Sequence, residues 1–125
     1  MICTYLLLRP APESLEALVT YYRDHDVIGA ALPYGLRKGE LGHPVQNATT
    51  VAVVSLWDSQ DAYLGWLKAP ERKSLIAGMM PLLDGADSIT GWSKETDAVS
   101  SVDFSVLFGE RPVSIRIRTG ADTAP

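Results

Sequence analysis

The chain carries a single cysteine, Cys3. One thiol allows neither an intrachain disulfide nor a thiolate metal cluster built by one chain. In an apolar opening run it reads as a small buried hydrophobe. Long apolar segments are missing as well, and nothing approaches the ~20 residues of a bilayer span. The apolar start is too short for an export signal and has no basic flank. These absences set the expectation of a soluble, cytoplasmic protein with no membrane partner. Positive charge is scarce: eleven Lys and Arg stand against fifteen Asp and Glu, a formal net charge of −4. That balance gives no electrostatic reason to expect nucleic acid as a partner. Neither GxGxxG nor the Walker phosphate-loop pattern occurs, and there is no nucleophile elbow. The two histidines, His25 and His43, lie far apart with no carboxylate spacing of a zinc site, so no metal is expected.

What remains is an ordinary globular composition, 46% hydrophobic and 21% charged over 125 residues. That length suits one domain with a real core. Ile2 to Leu8 is an apolar, strand-length run. Pro12 suits a helix start, and Glu13 and Glu16 favour its positive end. Leu15, Leu18, Val19 and Tyr22 then recur at helical spacing, and the helix stops near Asp24-His25-Asp26. Val27 to Leu36, with Gly29, Pro33 and Gly35, reads as an irregular strand. Lys38 to Asn47 is polar and glycine-bearing, and reads as a loop or hairpin tip. Thr49 to Trp57 is rich in β-branched residues and reads as a strand.

Asp58-Ser59 offers N-cap oxygens to a second helix, with Ala62, Tyr63, Trp66 and Leu67 on its inner stripe. Pro70 interrupts it, and a further helical piece runs from about Glu71 to Met80. Pro81 to Gly85 is a turn, and Ser88 to Lys94 is a fourth strand. The order is β-α-β-β-α-β, an α+β arrangement with both helices on one sheet face. Tyr5, Leu7, Val51 and Val53 then need cover on the other face. A second copy would supply it, so a homodimer is expected. Glu95 to Ser101 reads as a linker. Val102 to Phe108 and Val113 to Thr119 read as an extra hairpin, with Arg116 and Arg118 on one face of its last strand. Gly120 to Pro125 is expected to fray. The domain division is 1–97 for the ferredoxin-like unit and 98–125 for the C-terminal extension.

The run Trp57-Asp58-Ser59-Gln60-Asp61-Ala62-Tyr63 resembles the Trp-x-Ser-x-x-Ala-Tyr junction of the antibiotic biosynthesis monooxygenase family. Pro81-Leu82-Leu83-Asp84-Gly85 is similar to that family's closing turn, and the resemblance spans roughly residues 1 to 97. It implies a ferredoxin-like domain paired into a dimeric α/β barrel, with a pocket between sheet and helices. Some members oxygenate aromatic polyketides with neither metal nor flavin, so no cofactor is implied. The resemblance makes Trp57 and Tyr63 the polar tips that face the substrate. It places Val53 where those oxygenases carry an Asn, and Arg72 and Lys73 near their helical Arg. A haem-degrading branch of the family is matched by Trp66-Leu67-Lys68. Its iron-ligand His falls on Ile76, which ligates nothing, and its first-strand Asn falls near Thr4. The missing His argues against haem chemistry.

Candidate catalytic residues are therefore Trp57, Tyr63 and His43, the last as a base that titrates near neutral pH in a loop over the pocket mouth. Candidate substrate contacts are Trp66, Tyr34, Thr4 and Arg72. Core packing also accounts for the tryptophans, and a solvated loop accounts for His43. Tyr22, on the inner face of the first helix, reads as a core residue with its hydroxyl near the pocket rim. Three readings stay open: a cofactor-independent oxygenase or related cyclase acting on an aromatic polyketide-like molecule, a module that binds a hydrophobic metabolite without turnover, and an assembly role for the dimer and C-terminal extension.

Overall fold

The computed structural model describes residues 1–85, 87–96 and 102–120. Its centre is a five-stranded antiparallel sheet in the order β4-β1-β3-β2-β5. These strands are β1 Ile2–Leu8, β2 Leu36–Pro44, β3 Val51–Trp57, β4 Ile89–Glu95 and β5 Val113–Gly120. The first four give the ferredoxin-like order, and β5 adds a strand beside β2. Every residue of β3 is buried. A strand covered on both faces loses its alternation and reads as one apolar run, which is why β3 is plain in the sequence.

Side-chain alternation sorts the strands into two faces. Thr4, Leu6, Val53, Ser55 and Trp57 point to the inner face, beneath the helices. Cys3, Tyr5, Ala52, Val54 and Leu56 point to the outer face. Val51 and Val53, expected to need cover on the outer face, are therefore inner-face residues. Helix α1, Leu15–Asp24, buries Leu18, Val19 and Tyr22 on the inner face. Helices α2, Gln60–Leu67, and α3, Pro70–Met79, follow β3. Ser59 caps α2 by accepting the Ala62 amide at 3.1 Å, and Pro70 opens α3 where its missing N–H costs nothing.

The expected irregular strand at Val27–Leu36 is instead a 3-10 helix over Gly29–Tyr34. Asp26 begins it by accepting the Ala30 amide at 2.9 Å, and Pro33 fixes a helical φ. The expected loop at Lys38–Asn47 is instead mostly β2. Its glycines imitate turn residues but mark close approach. A Cβ on Gly39 would lie 2.7 Å from Ile28 and 2.9 Å from the Ser55 hydroxyl.

The C-terminal extension is not a hairpin. Its first half turns into a short helix, α4, Ser105–Phe108. Asp103 accepts the Ser105 amide at 2.8 Å, and Phe104 and Phe108, four residues apart, fall on one side. They pack on the outer face with Val102 and Leu107. The chain itself thus covers the surface for which a second copy was invoked. β5 pairs with β2 through a register shift between Leu41 and Gly42. The extra residue sends Arg116 inward to Glu16 of α1, while Arg118 stays outward beside Glu40. The two arginines do not share a face. Of the stretch Gly120 to Pro125 expected to fray, Gly120 is instead paired with Lys38 at the end of β5. The proposed boundary at 97/98, most of the linker reading and residues 121–125 lie outside the described residues. Among the described residues, no helix is long and apolar enough to cross a membrane.

Candidate functional site

A cavity lies between the inner sheet face and the layer formed by α1, the 3-10 helix, α2 and α3. Leu6, Val27, Ile28, Val53, Leu75 and Ile76 make its walls apolar. Trp57, Tyr63 and Trp66 supply aromatic surface, and Thr4, Ser55, Tyr22 and Arg72 supply polar atoms. Five of the seven residues singled out in the sequence thus meet in one place: Trp57, Tyr63, Trp66, Thr4 and Arg72. Tyr22, expected in the core with its hydroxyl near the pocket rim, also lines the cavity, and Ser55 was not singled out. Ser55 is a polar residue at an inner position of an apolar strand, two before Trp57, and that alternation was the available signal.

Trp57 ends β3, diagonally across from Thr4 of β1. Side chains reach one another across that diagonal. The indole Nε1–H donates to Thr4 Oγ1 at 2.9 Å. Thr4 keeps its own hydrogen to donate, and Ser55 is its direct partner across the strands. The Trp57 N–H is thus satisfied within the fold, and Thr4 rather than Trp57 carries the available polar hydrogen. Tyr63 lies against Trp57 with ring centroids 5.2 Å apart and planes at 55°, an edge-to-face arrangement favoured by aromatic quadrupoles.

Arg72, in the first turn of α3, is half-buried and makes no ion pair or hydrogen bond among the described residues. Its positive charge acts on two phenols. Burial pushes Tyr22 well above the ordinary tyrosine value, and Arg72 pulls the other way. The same opposition holds for Tyr63, again with burial the larger effect. An unpaired guanidinium in an apolar cavity favours any anion placed beside it. The two tyrosines stay neutral near pH 7 and offer hydroxyl hydrogens. Thr4, Ser55, Tyr22, Tyr63 and Arg72 are the hydrogen-bonding and charged groups of the lining. Neither phenol can act as a base near neutral pH.

His43 does not belong to this site. It lies on β2, buried, instead of in a loop over the pocket mouth. Its Nδ1 donates to the Pro44 carbonyl at 2.9 Å, since a carbonyl only accepts. Its Nε2 then accepts from Arg116 at 3.1 Å. Arg116 in turn holds Glu16 through two bonds, 2.9 and 2.7 Å. Both ring nitrogens are thereby engaged, and the Nε2 contact with Arg116 links β2 through β5 to α1. Tyr34 is also outside the lining. It sits behind Trp66, ring centroids 5.4 Å apart, and its hydroxyl donates to Glu71. That bond raises Tyr34 and lowers Glu71 from their ordinary values. Tyr34 braces Trp66 instead of touching the cavity.

The free space is about 70 Å³. Ligand sites commonly hold ~300–1,000 Å³, so a ring system enters only if the roof shifts. No group of three or more His, Cys, Asp or Glu residues placed to hold a metal occurs among the described residues.

Solved structures share this fold at low identity. Rv0793 from Mycobacterium tuberculosis is 15% identical with a TM-score of 0.63, covering 80% of this chain and 98% of its own. A protein from Chloroflexus aurantiacus is 15% identical with a TM-score of 0.63, covering 82% of this chain and 100% of its own. PA3566 from Pseudomonas aeruginosa is 14% identical with a TM-score of 0.63, covering 78% and 94%. The sequence matches no curated protein. The family model described as antibiotic biosynthesis monooxygenase matches residues 1–78, more than half of the chain. With that match and this sheet order, the chain belongs to the antibiotic biosynthesis monooxygenase family.

Proposed function

We propose that this chain binds a small aromatic molecule bearing an acidic phenol or enol, and oxygenates it without metal, flavin or nicotinamide. The observation that carries this reading is the unpaired Arg72 guanidinium, set in an apolar cavity beside neutral hydroxyls. Such a site lowers the pKa of the ligand's own hydroxyl. An electron-rich anion gives one electron to dioxygen, and the resulting pair recombines at carbon as a peroxide anion, which takes a proton back from solvent to become the hydroperoxide. Loss of water leaves a carbonyl. For a ring CH₂ the sum is CH₂ plus O₂ to C=O plus H₂O, so the substrate supplies all four electrons. In this scheme Arg72, Tyr22 and Tyr63 hold the oxyanion, and Thr4, fixed by Trp57, orients it. Trp57 and Trp66 flank the ring. The ligand's proton leaves to solvent, because among the described residues no His, Asp or Glu lines the cavity.

The test is oxygen uptake by purified protein with a panel of anthrol- and naphthol-type phenols. Uptake that is retained under metal chelation and lost in Arg72→Met supports the reading. A chelation-sensitive uptake, or one that ignores Arg72→Met, overturns it. The absence of a cavity base favours a second reading, binding without turnover. Quenching of Trp57 and Trp66 fluorescence by phenols, with no oxygen consumed, selects it.

A further inference from the structure

The roof over the cavity is not seated evenly. α1 buries Leu18, Val19 and Tyr22 against the sheet. The 3-10 helix is fixed at its end to the start of α2. There the Asp58 amide donates to the Gly35 carbonyl at 3.0 Å, and a Cβ on Gly35 would lie 2.7 Å from the Ala62 methyl. α3 is held more loosely. Of its ten residues only Met79, at its C-terminal end, is buried. The residues it presents to the cavity, Arg72, Leu75 and Ile76, are half-buried. Elements with little buried apolar surface are the first to open. Between α2 and α3 the chain passes through Ala69 in an extended conformation, φ −66° and ψ 135°. Such element-terminal positions absorb hinge rotations.

Among the described residues, two side-chain hydrogen bonds reach α3 from other elements. Tyr21 of α1 donates to the Leu75 carbonyl at 2.8 Å, and its ring lies so close to Gly78 that a Cβ there would meet the hydroxyl. That bond is partly buried and clamps the second half of α3. At the first turn, Tyr34 donates to Glu71. This bond is exposed to water, and among the described residues no other hydrogen bond or ion pair joins the 3-10 helix to α3. The Tyr34 ring also packs on Trp66. One side chain thus joins the 3-10 helix, α2 and the turn of α3 that carries Arg72.

With about 70 Å³ free, the cavity is closed to a ring system while that turn is down. We propose that the Tyr34–Glu71 hydrogen bond is the latch of the cavity: it holds the first turn of α3 down and breaks when a ring-bearing ligand enters. Tyr34 is then a positioning residue, which governs entry through Glu71 without touching the ligand. The inference rests on the reading of this cavity as a phenol site. Because the latch is open in the bound state, it competes with the ligand. Apparent affinity is reduced by the fraction of molecules in which the latch is open.

The test compares the whole chain with its Tyr34→Phe variant, which keeps the ring on Trp66 and removes only the hydroxyl. The first arm uses no ligand and follows backbone amide exchange by mass spectrometry. Exchange over residues 70–79 is expected to quicken several-fold in the variant, with α1 and β3 unchanged. Unchanged exchange over 70–79 overturns the proposal. So does a quickening shared equally by α1 and β3, which marks a general loss of stability. The second arm is calorimetric titration with 1-naphthol. The variant is expected to bind it roughly 2- to 10-fold more tightly, the net contribution of one hydrogen bond. An affinity that is unchanged or weaker overturns the proposal. Failure of 1-naphthol to bind either protein would sink the phenol reading instead, and the exchange arm would still decide the latch.

Discussion

The indole N–H of Trp57 is held by Thr4, and this makes the pair a unit with two separable jobs. In stability, Thr4→Val leaves a buried donor without an acceptor, at a cost of ~1–3 kcal/mol. The same substitution in a Trp57→Phe background has no donor to orphan, and its cost should shrink sharply. A double-mutant cycle in urea reads this coupling directly, and additive costs would show that the bond contributes nothing. In binding, Arg72 carries the sharper expectation. Hydrogen bonds to charged groups contribute ~1.5–3 kcal/mol, so Arg72→Met should weaken an ionised phenol on the order of 10- to 100-fold. A methyl-ether analogue, which cannot ionise, should bind both proteins alike. Equal losses for phenol and ether would assign Arg72 a packing role only. His43→Gln, by contrast, should leave the pH profile of any turnover where it was, because the imidazole contacts Pro44 and Arg116 and not the cavity. A profile displaced by that substitution would bring His43 back as a base.

At the scale of elements, what the sequence reveals depends on whether local pattern and tertiary environment agree. They agree in β1, α1, β3 and the α2–α3 pair, where apolar spacing and caps coincide with burial. Ser59 is an example: its hydroxyl accepts the Ala62 amide, and Ser59→Ala should cost about 1 kcal/mol by thermal or urea melting. An unchanged midpoint would mean the α2 end is held by packing alone. They disagree in β2. Lys38, Gly39, Glu40 and Gly42 look like a loop because the glycines answer to Ile28, Ser55, Val113 and Ile115, residues remote in sequence. They disagree again at 102–108, where strand-like alternation and i, i+4 spacing both fit Phe104 and Phe108. The outer face decides between them by accepting both rings at once. Arg116 and Arg118 separate for a comparable reason. A register shift has no signature in one strand alone, since it exists only between β2 and β5. The site was legible as far as its aromatic residues and Arg72, because the Trp57 junction has a pattern. The helical stripe of α1 also put the Tyr22 hydroxyl near the pocket rim, whereas Ser55 became visible only when strand pairing aimed it into the same space.

For the whole molecule, burial and surface pairing set opposite limbs of the pH dependence. Glu16, Glu71 and Asp103 all lie below their ordinary values, held down chiefly by hydrogen bonds from Arg116, Tyr34 and Ser105. A depressed carboxyl stabilises the fold fully above its unfolded value, ~4. That contribution is lost as pH falls through the lowered folded value. All three groups are at the surface, so this acid limb should be shallow. Tyrosines act in the other direction. Burial pushes Tyr5 up to about 12 and pushes Tyr22 further still. A raised phenol stabilises fully below its unfolded value of ~10, and that stability is lost as pH climbs toward the folded value. Tyr22 is buried, and no hydrogen bond to its hydroxyl occurs among the described residues, so its ionisation should dominate the alkaline limb. Urea midpoints taken across pH should therefore stay level near neutrality, decline gently in acid and decline steeply in alkali. Tyr22→Phe should flatten the alkaline limb and leave the acid limb untouched, whereas Glu16→Gln should trim only the acid limb. Arg72→Met should leave the Tyr22 phenol harder still to ionise, because the cation that favours its phenolate is gone. An alkaline limb indifferent to Tyr22→Phe would locate that instability elsewhere, and would show that burial does not hold the Tyr22 phenol above its ordinary value.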